Sequence, residues 1–234
     1  MTTRDTVSNH LLELRSRLLK VIVFFGALSL IGVPFAADIY SFVANPLIDI
    51  LPSGSSMIAT EVASPFMAPI KLVIYIALLL SMPWLFYQMW MFISPGLYQG
   101  EKSFTGPLML STIVLFFSGA SFAFFVVCPI IFKFFIGMAP DSIQVMTDIN
   151  QYLGFIFKLI FAFGIAFEIP IATILLVKSG ITSKASLVKA RPYLLVLFLI
   201  IGMLLTPPDI FSQLFLAIPM WILFELGIFF IREK

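Results

Sequence analysis

The sequence predicts an all-α polytopic membrane protein of six transmembrane helices, and three observations predict it. Hydrophobic residues make up 61% of the 234 residues and charged residues 11%, with a mean hydropathy of +1.09, whereas a soluble domain carries about 25% charged residues. The apolar residues fall into long runs, and a helix rising 1.5 Å per residue crosses a ~30 Å hydrocarbon core with about 20 of them. The breaks between runs are short and polar, and lysine and arginine crowd into alternate ones. Together these describe a single transmembrane domain over 1–234, with no separate soluble part.

Taken in order, residues 1–17 are polar, with Val7, Leu11, Leu14 and Leu18 at helical spacing on one face and His10, Glu13, Arg17 and Lys20 on another. That pattern predicts an amphipathic interfacial helix running into the first span. Span one covers 18–43 and is interrupted by Pro34. A loop rich in proline and serine follows at 44–65, carrying Asp49 and Glu61 and no basic residue. Span two is 66–93, with Pro69 and Pro83 as expected kinks. After SPGLYQGEKSFTG at 94–106, span three takes 107–136. An acidic loop at 137–151 leads to span four, 152–177, and a basic loop, KSGITSKASLVKARP, follows at 178–192.

The last two spans are expected to be short. Tyr193 to Thr206 supplies 14 residues between Pro192 and Pro207, and 210–224 supplies 15 before Glu225. Fourteen residues reach about 21 Å, short of the hydrocarbon core. Two short helices beside four long ones predict a concave bundle and a locally thinned bilayer. The basic residues set the orientation: Arg4, Arg15, Arg17 and Lys20, then Lys102, then Lys178, Lys184, Lys189 and Arg191, then Arg232 and Lys234 all fall on one side of a six-span topology. The positive-inside rule places that side, and both termini, in the cytoplasm. The N-terminal segment leads into a full-length span without a small-residue cleavage site, and no internal repeat is visible.

Catalytic chemistry finds little to work with. One histidine, His10, and one cysteine, Cys128, make neither a zinc site nor a Cys/His pair, and nucleotide-binding glycine motifs are absent, so no catalytic residue, metal or cofactor is expected. Two groups of acids are candidates for binding instead. Glu168 lies inside span four, two residues before Pro170. A charge there costs at least about 2.5–3.5 kcal/mol on insertion scales, so it faces protein or water, as a functional group or as a structural acid tying helices together. Pro170 also leaves the Ala166 carbonyl without its helical partner. Glu13 stands four residues before Arg17, the favourable order for a helical ion pair worth about 0.2–0.5 kcal/mol. The other reading pairs Glu13 with Glu101, one loop away, as an acidic patch on a basic face that accepts guanidinium groups through charge-assisted bonds.

Six segments then carry a resemblance. HLLELRSRL at 10–18, PFMAPIK at 65–71, FISPGLYQGEK at 92–102, FGIAFEIP at 163–170, KARPY at 189–193 and GMLLTPPD at 202–209 closely resemble the TatC family, the six-span core of the twin-arginine protein translocase. They appear in the family's order and extend over nearly the whole chain.

The resemblance implies a receptor in the cytoplasmic (inner) membrane for the twin-arginine signal peptides of folded export cargo. It implies Glu13 and Glu101 as the carboxylates that take the arginine pair, with Arg15, Arg17, Pro95 and Leu97 shaping their surroundings. Glu168 matches the family's intramembrane acid. Met203, Thr206 and Gln213 fall where single-span partners resembling TatA and TatB dock, and Pro46, Glu61 and Asp209 match outer-loop positions. Self-association in a larger complex is implied, and no nucleic acid. Many members have Tyr near the outer end of span three where this chain has Phe124, so a phenolic hydroxyl is not essential here. The alternative from another class is a proton- or ion-coupled small-solute transporter using Glu168, which has no use for Glu13 and Glu101 outside the membrane. A purely structural scaffold would bind partners but recognise no peptide.

Overall fold

The structure is a computed structural model and describes residues 3–48, 57–93, 105–138, 140, 146–206 and 209–231. Its elements are α1 (Thr3–Gly32), a 3-10 turn (Val33–Phe35), α2 (Ala36–Ile48), β1 (Met57–Ile58), α3 (Ser64–Ile93), α4 (Thr105–Phe122), a π turn (Ala123–Val127), α5 (Cys128–Gly137), β2 (Thr147–Asp148), α6 (Ile149–Ala166), α7 (Ile169–Lys178), α8 (Lys184–Lys189), α9 (Arg191–Leu205) and α10 (Ile210–Phe230). Among the described residues, five helical stretches are long and apolar enough to cross a membrane: Leu12–Ala44, Ser64–Phe92, Gly106–Gly137, Ile149–Lys178 and Ile210–Phe230. Arg191–Leu205 is a shorter apolar helix. The protein is thus an all-α polytopic membrane protein, apart from two strands of two residues each.

Chain contacts divide the molecule into two compact units, residues 1–44 with 61–113 and residues 45–60 with 114–234. In the first, α1 and α3 run antiparallel. Three contacts along them mark the register: Arg17 with Gln88, Phe24 with Trp84 at 5.7 Å between ring centroids, and Gly32 with Val73. Gly32 is required for close approach, since a Cβ there would lie 2.7 Å from Val73 Cγ1. Pro34, expected to interrupt span one, falls in the 3-10 turn. Pro69 and Pro83 lie inside α3, which remains a single helix through both.

In the second unit, β1 and β2 pair in parallel, Met57 with Thr147 and Ile58 with Asp148. The π turn is where the chain accommodates Pro129. The proline ring clashes with an α-helical carbonyl four residues back and has no N–H to offer it; one wider turn, in which the Cys128 N–H reaches the Ala123 carbonyl, takes up the misfit. Ala166, Phe198, Ala217, Met220, Phe224 and Ile228 form a buried cluster that draws α6, α9 and α10 together.

Two expectations need correction. The sixth helix does not stop before Glu225: α10 runs 21 residues, to Phe230. A charged residue need not end a helix, and Glu225 Oε2 lies 2.6 Å from Arg191 Nη2. The fifth helix is short as expected, at 15 residues. Span four is not one helix either, since α6 ends at Ala166 and α7 begins at Ile169, with Phe167 and Glu168 forming the turn between them. Pro170, the missing donor to Ala166, sits in the first turn of α7.

Candidate functional site

The N-terminal half of α1 carries the first candidates. Because residues four apart share a helix face, Glu13 and Arg17 meet: Arg17 Nη2 and Nε donate to Glu13 Oε1 at 2.6 and 3.0 Å. Arg17 Nη1 donates in turn to Gln88 Oε1 at 3.2 Å. Gln88 is buried on α3, so one guanidinium orients the Glu13 carboxylate and fastens α1 to α3. Gln88 was missed in the sequence, although an amide within the apolar run MPWLFYQMWMFI is the kind of signal that finds such a residue. Arg15 is exposed on another face of α1. Glu101, Pro95 and Leu97 lie outside the described residues.

Glu168 stands at the α6–α7 break and is half-buried. Its amide donates to Ile165 O at 3.0 Å and its carbonyl accepts from the Ala172 N–H at 2.8 Å, so the Glu168 backbone keeps both its bonds through the turn. Close by, α10 packs on α7 through Gly227, where a Cβ would meet Thr173 Oγ1 and lie 2.9 Å from Pro170 Cα. The Thr173 hydroxyl donates to Pro170 O at 2.9 Å.

Of the residues expected at partner docking, Met203 is exposed and Thr206 buried. Thr206 Oγ1 donates to Gly202 O at 2.9 Å, and Gln213 Nε2 donates to Leu199 O at 2.8 Å. Both polar groups are therefore used between or within α9 and α10. Phe124 falls in the π turn, edge-on to Phe125 at 5.0 Å.

Among the loop candidates, Pro46 lies in α2, Glu61 is exposed with its carbonyl accepting the Ser64 N–H at 3.1 Å, and Asp209 caps α10, its Oδ1 accepting from Ser212 N at 2.7 Å. Sequence reasoning missed a stronger feature. Asp148 Oδ1 accepts the Asn150 and Gln151 amides at 2.9 and 3.1 Å, and its Oδ2 accepts the Thr60 hydroxyl at 2.6 Å and the Thr60 amide at 3.1 Å. The Thr60 hydroxyl, then the Gln151 amide, hold this carboxyl below its ordinary range. Asp148 three residues before Gln151 is a helix-start signal legible in the sequence; its partner 88 residues away is not. Among the described residues no group of His, Cys, Asp and Glu is placed to hold a metal ion.

The fold defines a multi-pass helical membrane protein. The family model described as Sec-independent protein translocase protein (TatC) matches residues 9–219. The protein of that name from Azotobacter chroococcum mcd 1 is 54% identical over 225 residues, 94% of this chain and 87% of its own length. The one from Escherichia coli strain K12 is 52% identical over 234 residues, 99% and 91% of the two chains. A crystal structure of the twin arginine translocase receptor TatC in DDM superposes with a TM-score of 0.86 at 35% identity, over 96% of this chain and 100% of that one. Another crystal structure of that receptor gives 0.84 at 36% identity, over 94% and 96%. The chain belongs to the TatC family.

Proposed function

We propose that this chain is the non-enzymatic core receptor of a twin-arginine translocase, binding Arg-Arg signal peptides of folded proteins and assembling single-span partners for export. The observation that carries the reading is the family match over residues 9–219, joined to a fold shared along nearly all its length with receptor structures. Glu13 and Glu101 take the two arginines, with Arg15, Arg17, Pro95 and Leu97 around them. Glu168 contacts the passenger peptide or a partner helix. TatA-like and TatB-like helices dock beside Met203, Thr206 and Gln213, Pro46, Glu61 and Asp209 act on the outer face, and copies of the chain associate within the larger complex.

The distribution of lysine and arginine supports six spans with both termini in the cytoplasm of a bacterial inner membrane. The count takes in the short α9 as the fifth span, and the concave bundle expected from the sequence belongs to the same proposal. The test is photo-crosslinking of the membrane-embedded protein to a signal peptide bearing Arg-Arg and to its Lys-Lys counterpart. Capture of the first and loss of the second is expected, since an ammonium does not reproduce the planar guanidinium fork. Equal capture of both overturns the reading.

A further inference from the structure

A groove of about 740 Å³ runs along α1 and is walled by Trp84 of α3, within the range of about 300–1,000 Å³ for small-molecule sites. Its composition changes from one end to the other. Leu12, Arg15, Ser16, Leu19 and Lys20 line the half nearer the N-terminus, and Val23, Phe24, Ala27 and Trp84 line the other. At 100° per residue Arg15 lies on one i, i+4 row with Leu19, Val23 and Ala27, and Lys20 on the neighbouring row with Leu12, Ser16 and Phe24, so a group lying in the groove between the two rows has one cation on each side. Arg15 to Ala27 spans about 18 Å, close to the thickness of one hydrocarbon leaflet, about half of 30 Å.

Charge decides the occupant. Arg17, the third cation of this stretch, is engaged by Glu13 and Gln88, whereas Arg15 and Lys20 make no ion pair or hydrogen bond among the described residues. Among the described residues, no acidic residue lines the groove. Two cations unpaired among the described residues, above an apolar, aromatic-walled channel, match an amphiphile with an anionic head. We propose that this groove binds an anionic phospholipid, its phosphate between Arg15 and Lys20 and one acyl chain along Leu19 and Ala27 against Trp84.

Trp84 reports occupancy directly. The full chain is placed in phosphatidylcholine nanodiscs containing a small, equal fraction of bromine-labelled phosphatidylglycerol or bromine-labelled phosphatidylcholine. The signal is the part of the fluorescence quenching that Trp84→Phe removes. Each cation near a membrane surface favours an anionic lipid about fivefold, so the glycerol lipid should quench at about 25-fold lower mole fraction. Lys20→Gln should cut that preference about fivefold and Lys20→Arg should keep it, while Ala27→Phe, which fills the channel, should reduce quenching by both lipids. Equal quenching by the two lipids, or an unchanged preference in Lys20→Gln, overturns the proposal. So does displacement of the labelled lipid by millimolar inorganic phosphate, which would mark a free-anion site, or by an Arg-Arg peptide, which would assign the groove to the passenger.

Discussion

If Glu13 accepts a signal-peptide arginine as proposed, Arg17, which already donates to its Oε1 in this structure, competes for it, and the energetics of that exchange predict how two substitutions differ. Arg17 gives Glu13 Oε1 two N–H groups, at 2.6 and 3.0 Å, but the Glu13 side chain is 38% exposed. A helical i, i+4 pair in such a setting is worth about 0.3–0.5 kcal/mol once solvent screening is included. A charge-assisted bond to a guanidinium at a shielded peptide site is worth about 1.5–3 kcal/mol. The incoming arginine therefore wins. Arg17→Gln should tighten binding by about twofold at most, while Glu13→Gln should weaken it from about tenfold to over a hundredfold. The assay is equilibrium binding of a fluorescent Arg-Arg peptide to the purified protein in nanodiscs, with the Lys-Lys peptide as reference. If Arg17→Gln weakens binding as much as Glu13→Gln does, Arg17 positions the carboxylate for the peptide and the competition argument fails. If Glu13→Gln changes affinity by less than twofold, Glu13 is not the arginine acceptor.

Three further predictions follow from other parts of the fold. Export of a twin-arginine reporter at matched expression should fall in Glu168→Ala and fall less in Glu168→Gln, because glutamine keeps the size and hydrogen-bonding capacity of a polar group at the α6–α7 break; normal export by both would leave Glu168 a structural acid. Gly227→Leu should destabilise the α7–α10 contact by about 1–3 kcal/mol, read as a lower thermal unfolding midpoint in detergent, while Gly26→Ala, whose Cβ meets nothing within 4 Å, should not lower it. The Asp148 carboxyl is held below its ordinary range, so its contribution is complete above an unfolded-state value of about 3.9 and is lost as pH falls through the lowered folded value. Hydrogen exchange of the Thr60 amide, corrected for intrinsic rate, should be flat from pH 7 to 5 and faster only below that window, and Asp148→Asn should remove the pH dependence.

How much was legible follows from how far apart the partners are in sequence. The apolar runs, the interruption at Pro34 and the Glu13–Arg17 pair, one of the two readings of Glu13, depend on spacings of a few residues. Glu225 misled because its counter-ion, Arg191, is 34 residues away; with the partner unseen, the acid read as the end of a span. The same holds for Asp148 with Thr60 and for Arg17 with Gln88, 71 residues apart. The break at Phe167–Glu168 was half legible. Pro170 announced a lost bond, but whether the chain bends or starts a new helix depends on what packs there, and Gly227 and Thr173 from two different helices supply that.

The π turn at 123–127 bears on how this span tolerates changes in length. A π turn is an α-helix carrying one surplus residue. Deleting a residue within it, with Pro129 replaced so that the ring no longer needs the wider turn, would restore α geometry while leaving the faces on either side in place, Phe116 buried before it and Ile131 buried after it. The same deletion in the regular turns of α4 would swing every later side chain by about 100° and carry Ile131 out of its packing. Single-residue length differences among related chains should thus collect at this turn, and an alignment that places such a gap elsewhere in 107–136 would assign the wrong residues to the buried face.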